Sequence, residues 1–290
     1  MTISSRIPRR RALLVGVKAT RNFPNLPPVS GAHRDTEYVR RLLIEVYKYR
    51  PEDIMILIDD PAFDRNEREW RWPTKRNIVR AMYKLVEGAA PGDTVVFHFS
   101  GHGGQIEALE DPDEVDNLDE ILFPMDVMRA PQGEDIRIPY VNYVKDDLIR
   151  RIFERLPAGS RGVLIFDCCN SGTAADLPDV TGRGPLLAVL PRGASGSDMT
   201  QIPELTSFAA CKDGQNTSGN SKGGIFVRAF CNALRRDPYP THRKLMQNIT
   251  EEIEELLRSV PAEKKASVIR PVPQLGSLRG DAIWSTKFAL

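Results

Sequence analysis

The sequence predicts an α/β fold built on a mostly parallel, helix-covered sheet. Three observations predict it. Short apolar runs of strand length alternate with segments of helical period. Two of the runs, Thr94–Phe99 and Gly162–Asp167, are nearly unbroken apolar stretches, as expected of strands buried on both faces. Each then breaks into a small-residue loop that carries chemistry. Ser100-Gly101-His102-Gly103-Gly104 follows the first, and Cys168-Cys169-Asn170-Ser171-Gly172 follows the second. If the strands are parallel neighbours, an imidazole and a thiol emerge at one sheet edge, where open α/β sheets place their ligands. That is the pair nucleophilic cysteine catalysis requires.

Each element has its own justification. Ala12–Val17 is a short apolar run and reads as a strand. Ala32–Tyr47 places Val39, Leu42, Leu43 and Val46 on one helical face. Asp53–Ile58 is a strand, and Lys75–Val86 is a helix with Ile78, Met82 and Leu85 together. Leu148–Leu156 is a helix between the two long strands. The interruption from Gln105 to Tyr143 opens on the acidic stretch Glu107–Glu120, and Ile121-Leu122-Phe123-Pro124 suits a small hairpin. The Gly/Pro-rich segment from Leu177 to about Ile202 reads as an exposed loop. Order resumes with a strand at Thr206–Cys211, helices at Ile225–Leu234 and His242–Leu257, and a last strand at Ala282–Ser285.

Composition excludes several classes. Lys plus Arg number 40 against 39 for Asp plus Glu, so no charge bias points to nucleic acid or a membrane surface. The apolar runs fall far short of a membrane span. Arg9-Arg10-Arg11 resembles a short nuclear signal but better suits a solvated strand flank, and no apolar signal core follows it. Four cysteines in 290 residues make no disulfide framework. Cys211 and Cys231 read as buried and inert. The expected setting is reducing: cytosolic or nucleocytoplasmic.

Cysteine reactivity belongs to the thiolate, which needs a cationic or dipolar neighbour. Asn170-Ser171-Gly172 suits a tight turn after Cys169, so the Cys169 amide can serve as an oxyanion donor with the Gly103 amide opposite. Glycine at 103 lets a carbonyl approach the backbone. The same residues also fit two buried cysteines and a histidine in a glycine turn. A zinc site drawn from His98, His102, Cys168 and Cys169 matches no standard spacing. The loop after Phe99 lacks a P-loop lysine.

Four motifs in order resemble the metacaspases, caspase-like cysteine peptidases of fungi, plants and protists. They are Ser100-Gly101-His102-Gly103-Gly104-Gln105, Leu118-Asp119-Glu120-Ile121-Leu122-Phe123-Pro124-Met125-Asp126, Asp167-Cys168-Cys169-Asn170-Ser171-Gly172 and Cys211-Lys212-Asp213-Gly214-Gln215. The resemblance runs from about Arg11 to the C-terminus and departs at Asn170, where the family has histidine. It implies one caspase-like domain with a central, mainly parallel sheet of about six strands. A large-subunit-like part would cover 1–176, a linker 177–205 and a small-subunit-like part 206–290. The order is that of type I members, many of which carry a Pro/Gln-rich prodomain; only about ten residues precede the first strand here.

By position the resemblance assigns Cys169 as nucleophile and His102 as general base and acid. Cys168 stands where the family has Ser or Cys. Asp35, Asp167 and Ser100 are implied to form a pocket for Arg or Lys, and two converging carboxylates suit a guanidinium. Ser100 would add a hydroxyl acceptor. Asp35 alone would equally suit a helix N-terminus. Calcium is the implied activator, with Asp119, Asp146, Asp147 and Asp176 as the implied ligands, Asp146 and Asp147 taking the family's adjacent positions if the alignment carries a one-residue gap. Lys145 enters that cluster in an ungapped alignment and would weaken it. No organic cofactor is expected, and the partners are protein or peptide substrates of a monomer. Arg183, Arg192 and Lys222 lie in Gly-flanked stretches and are candidate self-cleavage sites. A catalytically silent caspase-like interaction module is the alternative.

Overall fold

The computed structural model describes residues 6–23, 26–60, 69–107, 118–131, 139–168, 175, 177, 181, 201–210, 219, 220, 222–265 and 268–290, and structural detail is confined to them. In chain order the elements are β1 (Arg10–Gly16), α1 (Ala32–Glu45), β2 (Ile54–Ile58), α2 (Lys75–Val86), β3 (Thr94–Ser100), β4 (Gly103–Glu107) and β5 (Leu118–Leu122). Then come β6 (Met128–Arg129), β7 (Tyr140–Val141), β8 (Val144–Lys145), α3 (Asp146–Phe153), β9 (Arg161–Asp167) and β10 (Glu204–Ala209). The chain ends through β11 (Gly219–Asn220), β12 (Gly223–Gly224), α4 (Ile225–Arg236), α5 (His242–Arg258), α6 (Ala262–Lys265) and β13 (Gln274–Ser277).

Six strands form the central sheet in the order β13-β10-β9-β3-β1-β2. All neighbours are parallel except the edge strand β13, which runs antiparallel to β10. Alternation along the buried strands feeds two cores. Val96 and Ile165 face α1, α4 and α5, where Leu42, Phe230 and Leu245 pack. Val95, Phe97, Phe99 and Phe166 face α2 and α3, where Met82 and Ile152 pack. The β9–β10 pairing joins the large-subunit-like and small-subunit-like parts in one sheet.

Helix starts follow local chemistry. The Thr74 hydroxyl accepts from the Asn77 amide at the start of α2, and Thr241 accepts from Lys244 at the start of α5. The hairpin expected near Ile121 is a three-stranded antiparallel sheet, β4-β5-β8, beginning one residue after His102.

One sequence expectation fails here, and another is refined at one end. Ala282–Ser285 lies in a 3-10 turn over Gly280–Ser285, opened by Gly280 at φ +55°. The last strand is Gln274–Ser277 instead, where Thr206↔Ser277 and Phe208↔Leu275 set the register. The segment read as an exposed loop from Leu177 is anchored at Leu177 and Thr181, while 178–180 and 182–200 lie outside the described residues. Leu177 is buried, and the Thr181 hydroxyl donates to Gln274 and accepts from the Leu275 amide.

Candidate active site

The candidate site lies at a sheet edge set by strand register. Ser100 at the end of β3 lies level with Asp167 at the end of β9, and the Gly101 amide donates to the Asp167 carbonyl (3.3 Å). His102 follows Ser100 by two residues, and Cys169 follows Asp167 by two. Parallel strands in this register end level with one another, so β3 and β9 finish at the same edge of the sheet. Cys169 and Asn170 lie outside the described residues. Cys168 is completely buried in the core facing α2 and α3. Gly103 is half-buried and opens β4 opposite Leu122, while the His102 carbonyl accepts from the Phe123 amide (3.0 Å).

His102 has a partner that the sequence did not disclose. Its Nε2 lies 2.7 Å from the Pro27 carbonyl. A carbonyl oxygen only accepts, so Nε2 carries a proton and Nδ1 is the ring nitrogen left to exchange one. The loop bearing Pro27 is held at several points. Val29 donates to the Lys18 carbonyl and Arg21 to the Met125 carbonyl (both 2.8 Å), and the Asp59 carboxylate accepts from the Lys18 and Ala19 amides. A backbone acceptor 75 residues upstream leaves no side-chain signature.

Asp35, Ser100 and Asp167 come together as expected. Gly16 makes this possible: a Cβ there would lie 2.8 Å from the Ala32 carbonyl, so β1 and α1 approach closely. Asp35, in the first turn of α1, thereby reaches Ser100. The Ser100 hydroxyl donates to Asp35 Oδ2 (2.7 Å), so it acts as a donor rather than the expected acceptor. Asp35 Oδ1 accepts from the Gly224 amide (2.8 Å), and Asp167 Oδ2 accepts from the Val227 amide (3.4 Å). Both carboxylates thus face the N-terminus of α4, whose dipole favours negative charge.

The pair is nonetheless costly to ionise. Burial raises Asp35 to about 7, against the opposing hydrogen bonds from Ser100 and Gly224. Asp167 is raised well above the carboxylate range by burial and then by the Asp35 charge. Gly223 and Gly224 cover the pair. Gly223 has φ +100°, and a Cβ there would lie 2.6 Å from Asp35 Oδ1; one on Gly224 would collide with Asp167. This corrects the reading of Lys222. Lys222 itself is exposed, but the bond after it leads into buried, hydrogen-bonded residues rather than an extended cleavable stretch. Arg183, Arg192 and Asp176 lie outside the described residues.

His98 belongs to no metal-ligand group among the described residues. It is fully buried, its Nδ1–H donates to the Ile165 carbonyl (3.2 Å), and burial lowers it to about 4. It is a neutral core histidine. Cys231 is likewise buried, in α4, and burial pushes its thiol up.

Asp119, Asp146 and Asp147 do gather, with one oxygen of each within 4.8 Å of the others, the only such group among the described residues. These three described residues alone do not fit calcium; Asp176, the fourth expected ligand, lies outside the described residues. The Lys145 ammonium lies 2.8 Å from Asp119 and 2.6 Å from Asp147. Burial opposes its charge, but the two carboxylates outweigh that and raise its pKa. Asp146 accepts from the Glu120 amide (3.0 Å) and the Asp147 amide (2.8 Å). Burial and the Glu120 charge raise Asp146 well above its ordinary value. A hard cation needing six to eight free oxygens meets neutralised and hydrogen-bonded ones.

Comparisons with known proteins bear on the family and the fold. A family model for the metacaspase peptidase C14 domain matches residues 10–178. Metacaspase-1B of Neurospora crassa is 30% identical over 85% of this chain and 64% of its own length. Metacaspase-1 of Cryptococcus neoformans is 31% identical over 84% of this chain and 60% of its own. The chain therefore spans somewhat less than two thirds of these relatives. Metacaspase-1 of Pyricularia oryzae is 33% identical over 85% of the chain and 69% of its own length. Among solved structures, caspase-1 from Spodoptera frugiperda superposes with a TM-score of 0.57 at 14% identity, covering 94% of this chain and 90% of that one. At that identity the likeness concerns the fold alone. The caspase-like sheet, the ordered motifs and the family match lead to one conclusion: the chain belongs to the metacaspases, a family of cysteine peptidases.

Proposed function

We propose that the chain is a cysteine endopeptidase that cleaves after Arg or Lys, with Cys169 as nucleophile and His102 as proton carrier. The observation that supports this reading is the level register Ser100↔Asp167 at the ends of β3 and β9, the two strands that His102 and Cys169 follow by two residues in sequence. His102 Nδ1 takes the thiol proton, and the thiolate attacks the scissile carbonyl carbon. Backbone amides of Gly103 and Cys169 stabilise the oxyanion. The C–N bond breaks as the imidazolium returns the proton to the leaving amine. Water, deprotonated by the same ring, then hydrolyses the thioester and restores the thiol.

The specificity follows from Asp35 and Asp167. Two buried carboxylates raise one another's cost of ionising, and a guanidinium or ammonium relieves both. An aspartyl side chain would add a third negative charge. Arginine reaches the pair once Gly223 and Gly224 shift outward. Calcium is not part of this reading, because the carboxylates expected to bind it neutralise Lys145. Self-cleavage within 177–200, which holds Arg183 and Arg192, is part of it. Hydrolysis of arginyl, lysyl and aspartyl fluorogenic peptides tests the proposal. Arginyl and lysyl substrates should be cleaved and aspartyl ones left intact, with activity lost in Cys169→Ala. Equal turnover of arginyl and aspartyl peptides refutes it. A chain that cleaves none of them supports the silent-module alternative.

A further inference from the structure

We propose that the Lys145 ammonium is this protein's built-in cation, occupying the place a divalent ion would take among Asp119, Asp146 and Asp147 and holding the catalytic loop without calcium. The charge sits between Asp119, which is almost fully buried, and Asp147. The position matters for the site. Lys145 lies in β8, level with Ile121 of β5. Strand β5 pairs in turn with β4, where Gly103 lies opposite Leu122. Beside that pair, the Phe123 amide donates to the His102 carbonyl (3.0 Å). The ion pairs therefore tie the outer strand to the middle strand and to the start of α3, one strand away from His102.

The charge arithmetic favours the lysine. An ammonium tethered on β8 brings one positive charge with no loss of translational freedom. Calcium would have to displace it, strip its own waters and find further oxygens, while each Asp146 oxygen already accepts from a backbone amide. Removing the lysine charge should uncover the cluster. Asp119 and Asp147 would then face each other uncompensated, and a divalent cation becomes the available partner.

The test measures calcium binding directly, with cleavage of an arginyl peptide as a second readout. The full chain, Lys145→Met and Lys145→Met/Asp147→Asn are titrated with calcium chloride by calorimetry and melted with calcium or with chelator. Methionine keeps the aliphatic stem and removes only the charge. The unaltered chain should take up no calcium at about 1 mM, the weak end of protein calcium sites. Its Tm and peptide turnover should be the same with calcium and with chelator. Lys145→Met should bind calcium and gain Tm with it, and the double variant should lose that binding. Calcium uptake by the unaltered chain that Asp147→Asn abolishes overturns the inference. So does a folded Lys145→Met chain that binds none. If Lys145→Met does not fold, the unaltered chain and Asp147→Asn decide the matter. The inference rests on the peptidase reading only for its activity arm. A chain that cleaves no peptide sinks that reading, while the calorimetry still decides this one.

Discussion

Replacing Asp35 with Asn should stabilise the ligand-free protein while destroying its handling of arginine. Asp35 is 2% exposed, and its pKa rises from 3.8 to about 7. A carboxylate whose folded pKa is raised favours folding below its unfolded value, and that contribution is lost as pH rises through the folded one. The window here runs from about pH 4 to pH 7. Each pKa unit is worth about 1.36 kcal/mol, so the cost accumulates to about 4 kcal/mol at most by pH 8. Asparagine pays none of it. Its carbonyl can accept from Gly224, and its amide can donate to the Ser100 hydroxyl, which reverses its role. Unfolding entropy of roughly 2.1 cal/mol/K per residue gives roughly 2 °C per kcal/mol at this length. The Tm advantage of Asp35→Asn over the parent should thus grow by roughly 6 °C between pH 4 and pH 8. The acid loss caused by buried His98 is common to both proteins and cancels in the difference. For arginine the sign reverses, since a guanidinium loses one of its two carboxylates, at about 2–5 kcal/mol for a buried pair. Paired thermal melts across pH, with kcat/KM for an arginyl peptide, check both halves. A pH-independent Tm difference, or an unchanged kcat/KM, refutes the reasoning.

Other outcomes follow from the same geometry. Peptide hydrolysis should vanish in Cys169→Ala and in His102→Ala, whereas Cys168→Ala should retain turnover and lose about 1–2 kcal/mol of stability as a small core truncation. Denaturant unfolding beside steady-state kinetics separates the two effects. Gly224→Ala drives a methyl group into Asp167 and breaks the Gly224–Asp35 hydrogen bond. It should cost about 1–3 kcal/mol and lower arginyl turnover, visible in the same assays. Intact-mass spectrometry of the active chain, with Cys169→Ala as control, should find nicks after Arg183 or Arg192 and none after Lys222. A fragment ending at Lys222 would contradict the buried setting of Gly223.

Much of the fold was legible because burial leaves a compositional trace. Thr94–Ser100 and Arg161–Asp167 announce themselves as apolar runs, and the expected helix Lys75–Val86 has the observed bounds. Gln274–Ser277 was missed because it holds one large apolar residue and takes its strand form from pairing with β10. Pairing partners distant in sequence have no local pattern. At the site, Asp35, Ser100 and Asp167 were foreseen by motif, and the structure brings them into contact. Three features were not legible. The Pro27 carbonyl acts through backbone, which every residue has. Gly223 and Gly224 read as flexible because glycine usually marks turns, yet here they are small in order to lie against two carboxylates. Lys145 looked like a flaw in a metal site until its ammonium was seen between Asp119 and Asp147.

The central claim is that Cys169, activated by His102, cleaves after a basic residue held by Asp35 and Asp167. An arginyl chloromethyl ketone tests it most directly, because alkylation needs both the recognition pocket and the thiolate. Peptide mass spectrometry after treatment should find one adduct, on Cys169. Labelling should be competed by an arginyl peptide but not by an aspartyl one, and should slow strongly in His102→Ala and Asp35→Asn. An adduct on Cys168, or equal labelling by the aspartyl reagent, would contradict the account.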